Sequence, residues 1–194
     1  MLDEPALISS LKNAESKGFK ELMRAYGRMV YNTALSIVQY PPDAEDISQE
    51  VFITVFKNIS SFKGESKLST WLYRITTTKS LEHLRKRRRK KRFGFMQSLS
   101  ELFGGGTSAF EPVEFVHPGL SLENKERAAI LFAAINQLPE QQKVAFILFE
   151  TEQLSYQDIA ESMNISVSAV ESLMFRARAR LRKLLGAYYD SHER

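Results

Sequence analysis

Residues 68–92 read LSTWLYRITTTKSLEHLRKRRRKKR, so an aromatic and apolar helical pattern runs directly into an unbroken basic segment. Leu68, Leu72 and Ile75 recur at spacings of four and three residues, which predicts a buried stripe along one helix. The last eight residues of this stretch are all Lys or Arg. Such a density of like charge needs an anionic partner, and nucleic acid is the leading candidate.

The rest of the chain is less basic. The protein has 194 residues and a net charge of +4, with 43% hydrophobic and 26% charged residues, as is usual for a folded protein. Residues 1–92 hold 18 basic and 10 acidic side chains, whereas residues 93–122 hold three acidic and no basic ones. Residues 123–194 are nearly balanced. The excess positive charge therefore belongs to the first segment.

Several function classes are excluded by what the sequence lacks. The absence of cysteine excludes disulfides, thiolate metal sites and cysteine catalysis. The N-terminus lacks the apolar core of a signal peptide, and no window approaches the roughly 18 apolar residues of a membrane span. No nucleophile motif, phosphate loop or zinc spacing is present. We expect a cytoplasmic protein that is not an enzyme, with no cofactor, no metal and no small-molecule substrate.

Helical spacing extends over most of the chain, and strand signals are nearly absent, which predicts an all-α protein. The first long amphipathic helix spans Phe19–Val38 and ends at Tyr40-Pro41-Pro42, after which Asp43 is expected to cap the next helix. On that next helix Asp43, Asp46 and Glu50 could form a metal site or a carboxylate pair. Because no His or Asn lies at matching spacing, an acidic face for a basic protein partner is favoured.

Residues 93–122 have the composition of a linker. Gly104–Gly106, Pro112 and Pro118 break any periodicity, and Lys and Arg are absent. Five phenylalanines make this stretch more apolar than a plain spacer, so we expect it to dock on a surface. The predicted architecture is two small helical domains, residues 1–92 and 123–194, joined by a flexible linker over residues 93–122.

The C-terminal domain carries the signals of a helix-turn-helix. Ser155 with Asp158 resembles a capping box, Asn164 tolerates the left-handed turn conformation, and Ser166 can cap a last helix. In such a unit the start of the second helix faces base edges in the major groove of DNA. Its outward positions are Val167, Ser168, Ala169, Glu171, Ser172 and Phe175, followed by Arg176, Arg178, Arg180 and Arg182. The alternative is an ordinary helical hairpin with a solvated charged face.

The helix before the basic run combines aromatic rings, hydroxyl groups and positive charge, a mixture suited to unstacked single-stranded bases. These side chains are Trp71, Tyr73, Arg74, Thr76, Thr77, Thr78 and Lys79. The alternatives are that the basic run is a solvated tail and that Trp71 belongs to the core.

Three segments together resemble the extracytoplasmic-function (ECF) sigma factors of bacterial RNA polymerase, which belong to the sigma-70 family. They are DAEDISQEVFITVFKNISSFKGESKLSTWLYRITTTKSLEHLRKRRRK at residues 43–90, LPEQQKVAFILFETEQLSYQDIA at residues 138–160, and SAVESLMFRARARLRKLL at residues 168–185. The resemblance covers nearly the whole chain in the right order, with the linker where the family has one.

The resemblance implies a role for each part of the chain. The Asp43–Ile59 helix would bind the clamp helices of the polymerase core through Asp46, Gln49, Glu50, Phe52 and Phe56. The −10 promoter element would be recognised and melted by Lys63, Lys67, Ser69, Thr70, Trp71, Arg74, Thr78, Lys79, Arg85, Arg87 and Arg88. The C-terminal domain would touch the polymerase flap and read the −35 element through Ser166, Val167, Ser168, Ala169, Glu171, Ser172, Phe175, Arg176 and Arg178. The resemblance further implies an anti-sigma partner, which can hold the factor at the inner face of the membrane.

The leading hypothesis is a dissociable initiation factor that binds polymerase core and directs promoter-specific transcription. The runner-up is a DNA-binding regulator that uses only the helix-turn-helix and has no sigma activity. An enzyme such as a nuclease comes third, because no catalytic constellation is visible.

Overall fold

The computed structural model describes residues 3–101 and 122–192, with side chains for residues 3–90 and 128–186. Within these ranges the chain forms eight α-helices and one short 3-10 helix and contains no strand, which confirms the all-α prediction. The α-helices are α1 (Glu4–Lys12), α2 (Ser16–Val38), α3 (Pro41–Asn58), α4 (Leu68–Glu101), α5 (Leu122–Asn136), α6 (Glu140–Glu150), α7 (Tyr156–Met163) and α8 (Val167–His192). The 3-10 helix spans Ile59–Ser61, between α3 and α4.

The N-cap of helix α3 lies three residues earlier than predicted. Tyr40 is its N-cap and Pro41 opens the first turn, where a missing backbone N–H leaves no bond unmade. Asp43, predicted to be the cap, instead lies inside this first turn. Its carboxylate is therefore available for contacts with other helices.

Helix α4 extends further than predicted. Its 34 residues continue to Glu101, so the backbone of residues 93–101, placed at the start of the linker, is helical. The rest of that stretch, residues 102–121, lies outside the described residues. The division into domains at residues 92 and 123 stays a prediction.

The second half is built around a helix-turn-helix whose predicted caps are confirmed. Ser155 Oγ accepts a hydrogen bond of 3.1 Å from the Asp158 N–H at the start of α7. Asn164 ends α7 in the left-handed conformation at φ 55°. Ser166 Oγ then accepts a hydrogen bond of 3.2 Å from the Ala169 N–H in the first turn of α8. Buried side chains join the two helices, among them Ile159, Ala160, Val170 and Leu173.

The two halves pack directly against each other. Helices α2, α3 and α4 enclose the core of the first half, and α6 and α7 pack with α8 in the second. Across the junction α4 lies along α7, and α2 lies against α6. One side of α4 is consequently covered by the second half.

Candidate functional site

One face of α3 is acidic near its start and apolar near its end. Asp46, Gln49 and Glu50, predicted to bind polymerase, are all exposed there, and Phe56 is 57% exposed. Phe52, predicted for the same surface, is half-buried and packs against the core. Phe52 thus supports the helix from behind, and the other four side chains are open to a partner.

An apolar residue that the sequence prediction omitted lies in the middle of this face. Ile53 is 53% exposed, and helical geometry places it between Glu50 and Phe56. On α2 the ring of Phe19 lies 4.8 Å from that of Phe56, and Met23 one turn later is 55% exposed. We call the exposed set the α3 surface; it consists of Asp46, Gln49, Glu50, Ile53 and Phe56.

The acidic residue at the start of α3 contacts a histidine and an arginine of α4. Asp43 Oδ2 lies 3.0 Å from His83 Nε2 and 3.2 Å from Arg87 Nη1. The Arg87 guanidinium also lies 5.9 Å from the centre of the Tyr40 ring. Asp43, one of the three acids that could have formed a metal site, therefore connects α3 to α4. In the part of the chain that the structure describes, no cluster of His, Cys, Asp or Glu could hold a metal ion.

The predicted −10 residues divide into three classes of exposure. Those exposed are Lys63, Lys67, Arg74, Thr78, Arg85 and Arg88. Those half-buried are Ser69, Trp71, Lys79 and Arg87. The eleventh, Thr70, is 5% exposed. In this arrangement the Thr70 side chain is unavailable to DNA, which corrects its assignment to the contact surface.

Most of the hydroxyl groups proposed to meet bases face inward. Thr76 and Thr77 are buried, and each donates a hydrogen bond to a carbonyl of α4, at 2.8 Å and 3.1 Å respectively. The Trp71 ring packs 5.1 Å from that of Phe62, so its inner side belongs to the core while its outer side is accessible. Of the predicted residues in this stretch, Arg74 and Thr78 thus face outward, and Trp71 and Lys79 do so in part.

The covered side of α4 is bound by acids of the second half. The Tyr73 hydroxyl donates a 3.0 Å hydrogen bond to Glu152 Oε2 in the turn between α6 and α7. Burial, followed by the nearby Glu152 charge, raises the pKa of Tyr73. Arg85 and Arg88 both bind the Glu140 carboxylate, at 2.9 Å and 3.0 Å. Two of the arginines predicted to hold DNA are thus occupied within the chain.

A buried polar chain joins α2 to the second half. Lys143 is 5% exposed, and its Nζ donates a 2.6 Å hydrogen bond to Asn136 Oδ1. The Asn136 amide donates to Gln39 Oε1, and Gln39 Nε2 donates to the Phe132 carbonyl at 3.4 Å. Burial lowers the pKa of Lys143 to about 8, helped by Arg88 and opposed by Glu140. The lysine is therefore more easily deprotonated than a lysine in water.

Helix α8 presents a reading face away from its own core. Ser168, Glu171, Ser172 and Arg176 are exposed on it, and Phe175 is 76% exposed. Helical geometry places these five side chains on one face. An exposed aromatic ring beside hydroxyl, acidic and guanidinium groups suits base edges and the thymine methyl group.

The other predicted −35 residues lie at the margins of this reading face. Val167 and Ala169 are half-buried, and Ser166 is exposed but its hydroxyl caps α8. Arg178 turns toward α6, where it lies 3.6 Å from Glu150 and stacks 5.2 Å from the centre of the Phe149 ring. Arg178 therefore has partners inside the protein.

Two protein families match successive segments of the chain, one in each half. Residues 22–90 match Sigma-70 region 2, and residues 122–181 match Sigma-70, region 4. The chain is 35% identical over 178 residues to the ECF RNA polymerase sigma-E factor of Haemophilus influenzae, which covers 91% of this chain and 92% of that protein. The protein is an ECF sigma factor. It directs promoter-specific transcription by RNA polymerase.

Further relatives of this sigma factor have similar length. It is 31% identical over 179 residues to the RNA polymerase sigma-H factor of Pseudomonas aeruginosa, with 92% of each chain covered. Its structure matches the sigma factor RpoE, solved with the anti-sigma factor NepR from Bartonella quintana, with a TM-score of 0.62 and 26% identity over 88% of this chain and 98% of that one. CnrH, solved with the cytosolic domain of CnrY, shares the fold with a TM-score of 0.67 and 21% identity over 95% of this chain and 97% of that one.

None of the helices in residues 3–101 and 122–192 is both long and apolar enough to cross a membrane.

Proposed function

We propose that the sigma factor binds polymerase core through the α3 surface. The supporting observation is that Ile53 and Phe56, two large apolar side chains, are exposed beside three polar or acidic ones. Apolar anchors surrounded by charged groups are typical of specific protein interfaces. The clamp helices of the polymerase are the partner proposed for this surface, and the flap is the partner proposed for the second half.

The −10 element is proposed to meet the exposed stripe of α4 and the loop before it. Lys63 and Lys67 in the loop can hold backbone phosphates, while Arg74, Thr78 and the outer side of Trp71 are placed for unstacked bases. The −35 element is proposed to lie against the reading face of α8, in the major groove. Arg85 and Arg88 join the DNA contacts once Glu140 releases them.

The remaining proposals concern catalysis, location and a further partner. The factor supplies promoter choice without catalysis of its own, and it acts in the cytoplasm. An anti-sigma factor is proposed as a further protein partner, since the similar sigma factor RpoE was solved in complex with the anti-sigma factor NepR. Such a partner can hold the factor at the inner face of the membrane.

The test is transcription from purified components. The factor is mixed with RNA polymerase core and a genomic DNA library, and transcript starts are mapped with and without it. We expect starts that share a −10 and a −35 sequence and disappear without the factor. Duplex binding without such starts would favour a helix-turn-helix regulator, and DNA cleavage without polymerase would indicate an enzyme.

A further inference from the structure

A residue from the beginning of the chain caps the helix proposed to meet the −10 element. Glu4 Oε1 accepts a 2.9 Å hydrogen bond from the backbone N–H of Leu68, the first residue of α4. Lys67, which precedes the helix, carries only hydrogen-bond donors and cannot fill the acceptor role of an N-cap side chain. A carboxylate 64 positions away in sequence fills it instead. Its negative charge also suits the positive end of the helix dipole.

Helix α1 holds this carboxylate in place. Asp3 Oδ1 caps α1 by accepting a 3.1 Å hydrogen bond from the Ala6 N–H, and Leu7 and Leu11 are buried in the core of the first half. The second Glu4 oxygen lies 3.5 Å from the Tyr26 hydroxyl on α2. Burial, followed by the Glu4 charge and this hydrogen bond, raises the pKa of Tyr26. Glu4 therefore connects α1, α2 and the start of α4.

The turn between α1 and α2 leaves little freedom for α1 to move. A side chain at Gly18 would meet Ser10 Oγ at 2.6 Å, so only glycine allows the two helices to approach this closely. Ser10 Oγ also donates a 2.7 Å hydrogen bond to Glu15 Oε2 across the same turn. The two helices are thus joined at one end by Glu15 and at the other by Glu4.

The loop before α4 is fixed at both of its ends. At one end Phe62 is buried against Trp71, and at the other the Leu68 N–H is bound to Glu4. Between them Gly64 adopts φ +77°, a conformation that favours glycine. Lys63 and Lys67 are both exposed. The loop of residues 63–67 is therefore presented to solvent from two fixed points.

We propose that Glu4 is a positioning residue for promoter recognition. By capping α4 it sets where the loop of residues 63–67 and the first turn of α4 stand relative to the −10 DNA. This inference rests on the proposed function, which places Lys63, Lys67 and Trp71 on that DNA. Glu4 itself touches backbone, and it acts through the residues whose direction it fixes.

The test compares three full-length variants with the unchanged protein. Glu4→Ala removes both the acceptor and the charge, and Glu4→Gln keeps an acceptor oxygen. Glu15→Ala is the matched control, because it removes the carboxylate that joins α1 to α2 at their other end without touching α4. Each is assayed with polymerase core on promoters from the transcript-start map whose −10 element has been randomised. Hydrogen exchange of residues 63–70 reports the cap directly.

For Glu4→Ala we expect about a tenfold loss of transcript, the effect of losing one helix cap. We also expect a changed ranking of −10 sequences and faster exchange at residues 63–70. Affinity for polymerase core and for a −35 duplex should stay within about twofold, as for a substitution remote from both surfaces. Glu4→Gln should restore the ranking, since its amide oxygen can accept the Leu68 hydrogen bond.

Two results overturn the inference. One is that Glu4→Ala ranks the −10 sequences in the same order as the unchanged protein and Glu15→Ala do, whatever the amount of transcript. A merely structural role for Glu4 would lower the amount of transcript without changing that order. The other is faster exchange in Glu15→Ala equal to that in Glu4→Ala. If the unchanged protein itself gives no promoter-dependent starts, the proposed function fails. If the unchanged protein gives such starts but Glu4→Ala leaves the −10 ranking unchanged, only the inference about Glu4 fails.

Discussion

Tyr73 of α4 donates a 3.0 Å hydrogen bond to Glu152 of the α6–α7 turn, and this bond crosses the junction between the two halves of the sigma factor. The proposed function assigns the −10 element to the half that holds Tyr73 and the −35 element to the half that holds Glu152. The halves cannot separate without breaking it. A promoter that needs a different spacing between α4 and α8 must therefore compete with this contact.

Removing the Tyr73 hydroxyl should loosen the junction. Tyr73→Phe keeps the ring but loses the donor, leaving the partly buried Glu152 carboxylate with one hydrogen bond fewer, at a cost of about 1–2 kcal/mol. Small-angle X-ray scattering should show a larger radius of gyration for the variant. Tyr156→Phe serves as the control, because that ring packs on Phe149 within the second half. Equal dimensions for all three proteins would show that the hydrogen bond does not hold the halves together.

Glu140→Gln should strengthen DNA binding. The substitution weakens the ion pairs with Arg85 and Arg88 and makes both guanidinium groups available to phosphates. We expect several-fold tighter binding to duplex DNA in low salt and a steeper dependence of affinity on salt, measured by fluorescence anisotropy.

Glu45→Gln changes the net charge equally from an exposed position on α3 and should have a smaller effect. An identical gain from both variants would mean that net charge alone, and not release of the two arginines, explains the change.

Lys143 should make stability depend on pH above neutrality. Its pKa is about 8 in the folded protein, against 10.5 for a free lysine. Between these two values the unfolded chain binds more protons than the folded one, so the free energy of unfolding rises with pH. Over the whole window the gain is about 3 kcal/mol.

Lys143→Met should remove that contribution. Urea unfolding at pH 7.5 and pH 10 measures the difference, and the unchanged protein should gain more stability on alkalinisation than the variant. The same gain in both proteins would contradict a shifted lysine at this position.

The α3 surface and the reading face of α8 should be separable by one substitution in each. Ile53→Glu adds a charge to an apolar anchor and should weaken binding to polymerase core about tenfold, with duplex affinity unchanged. Phe175→Glu should do the reverse, since it adds a negative charge where α8 is proposed to meet DNA. Titration of each variant with labelled core and with a labelled −35 duplex gives both affinities. Loss of both affinities in either variant would show that the two surfaces are not independent.

The parts that the sequence predicted well depend on neighbouring residues. The caps formed by Ser155, Asn164 and Ser166 act over three or four positions, so their residue types were sufficient to locate the helix-turn-helix. The helical stripe beginning at Leu68 was found in the same way, because burial on one side of a helix repeats every three to four residues.

The parts that were missed depend on contacts between distant residues. Thr70 and Thr77 have the composition of a DNA surface, and only the tertiary structure shows that both are buried. Ile53 was omitted, although it departs from the buried stripe of Ile47, Val51, Val55 and Ile59, and that departure was the available signal. The hydrogen bond from the Leu68 N–H to Glu4 corresponds to no periodic pattern in the sequence.

The unbroken length of α4 gives the molecule a mechanical property. Leu68 and Arg85 are 17 residues apart on one continuous helix, which corresponds to about 25 Å along its axis. A tilt of about 10° at the capped end would move the arginine by roughly 4 Å, more than the length of its ion pair with Glu140. A small rotation of α4, produced where the loop of residues 63–67 binds DNA, would thus cause a larger displacement at Arg85. The ion pair between Arg85 and Glu140 would then break without direct contact by a partner.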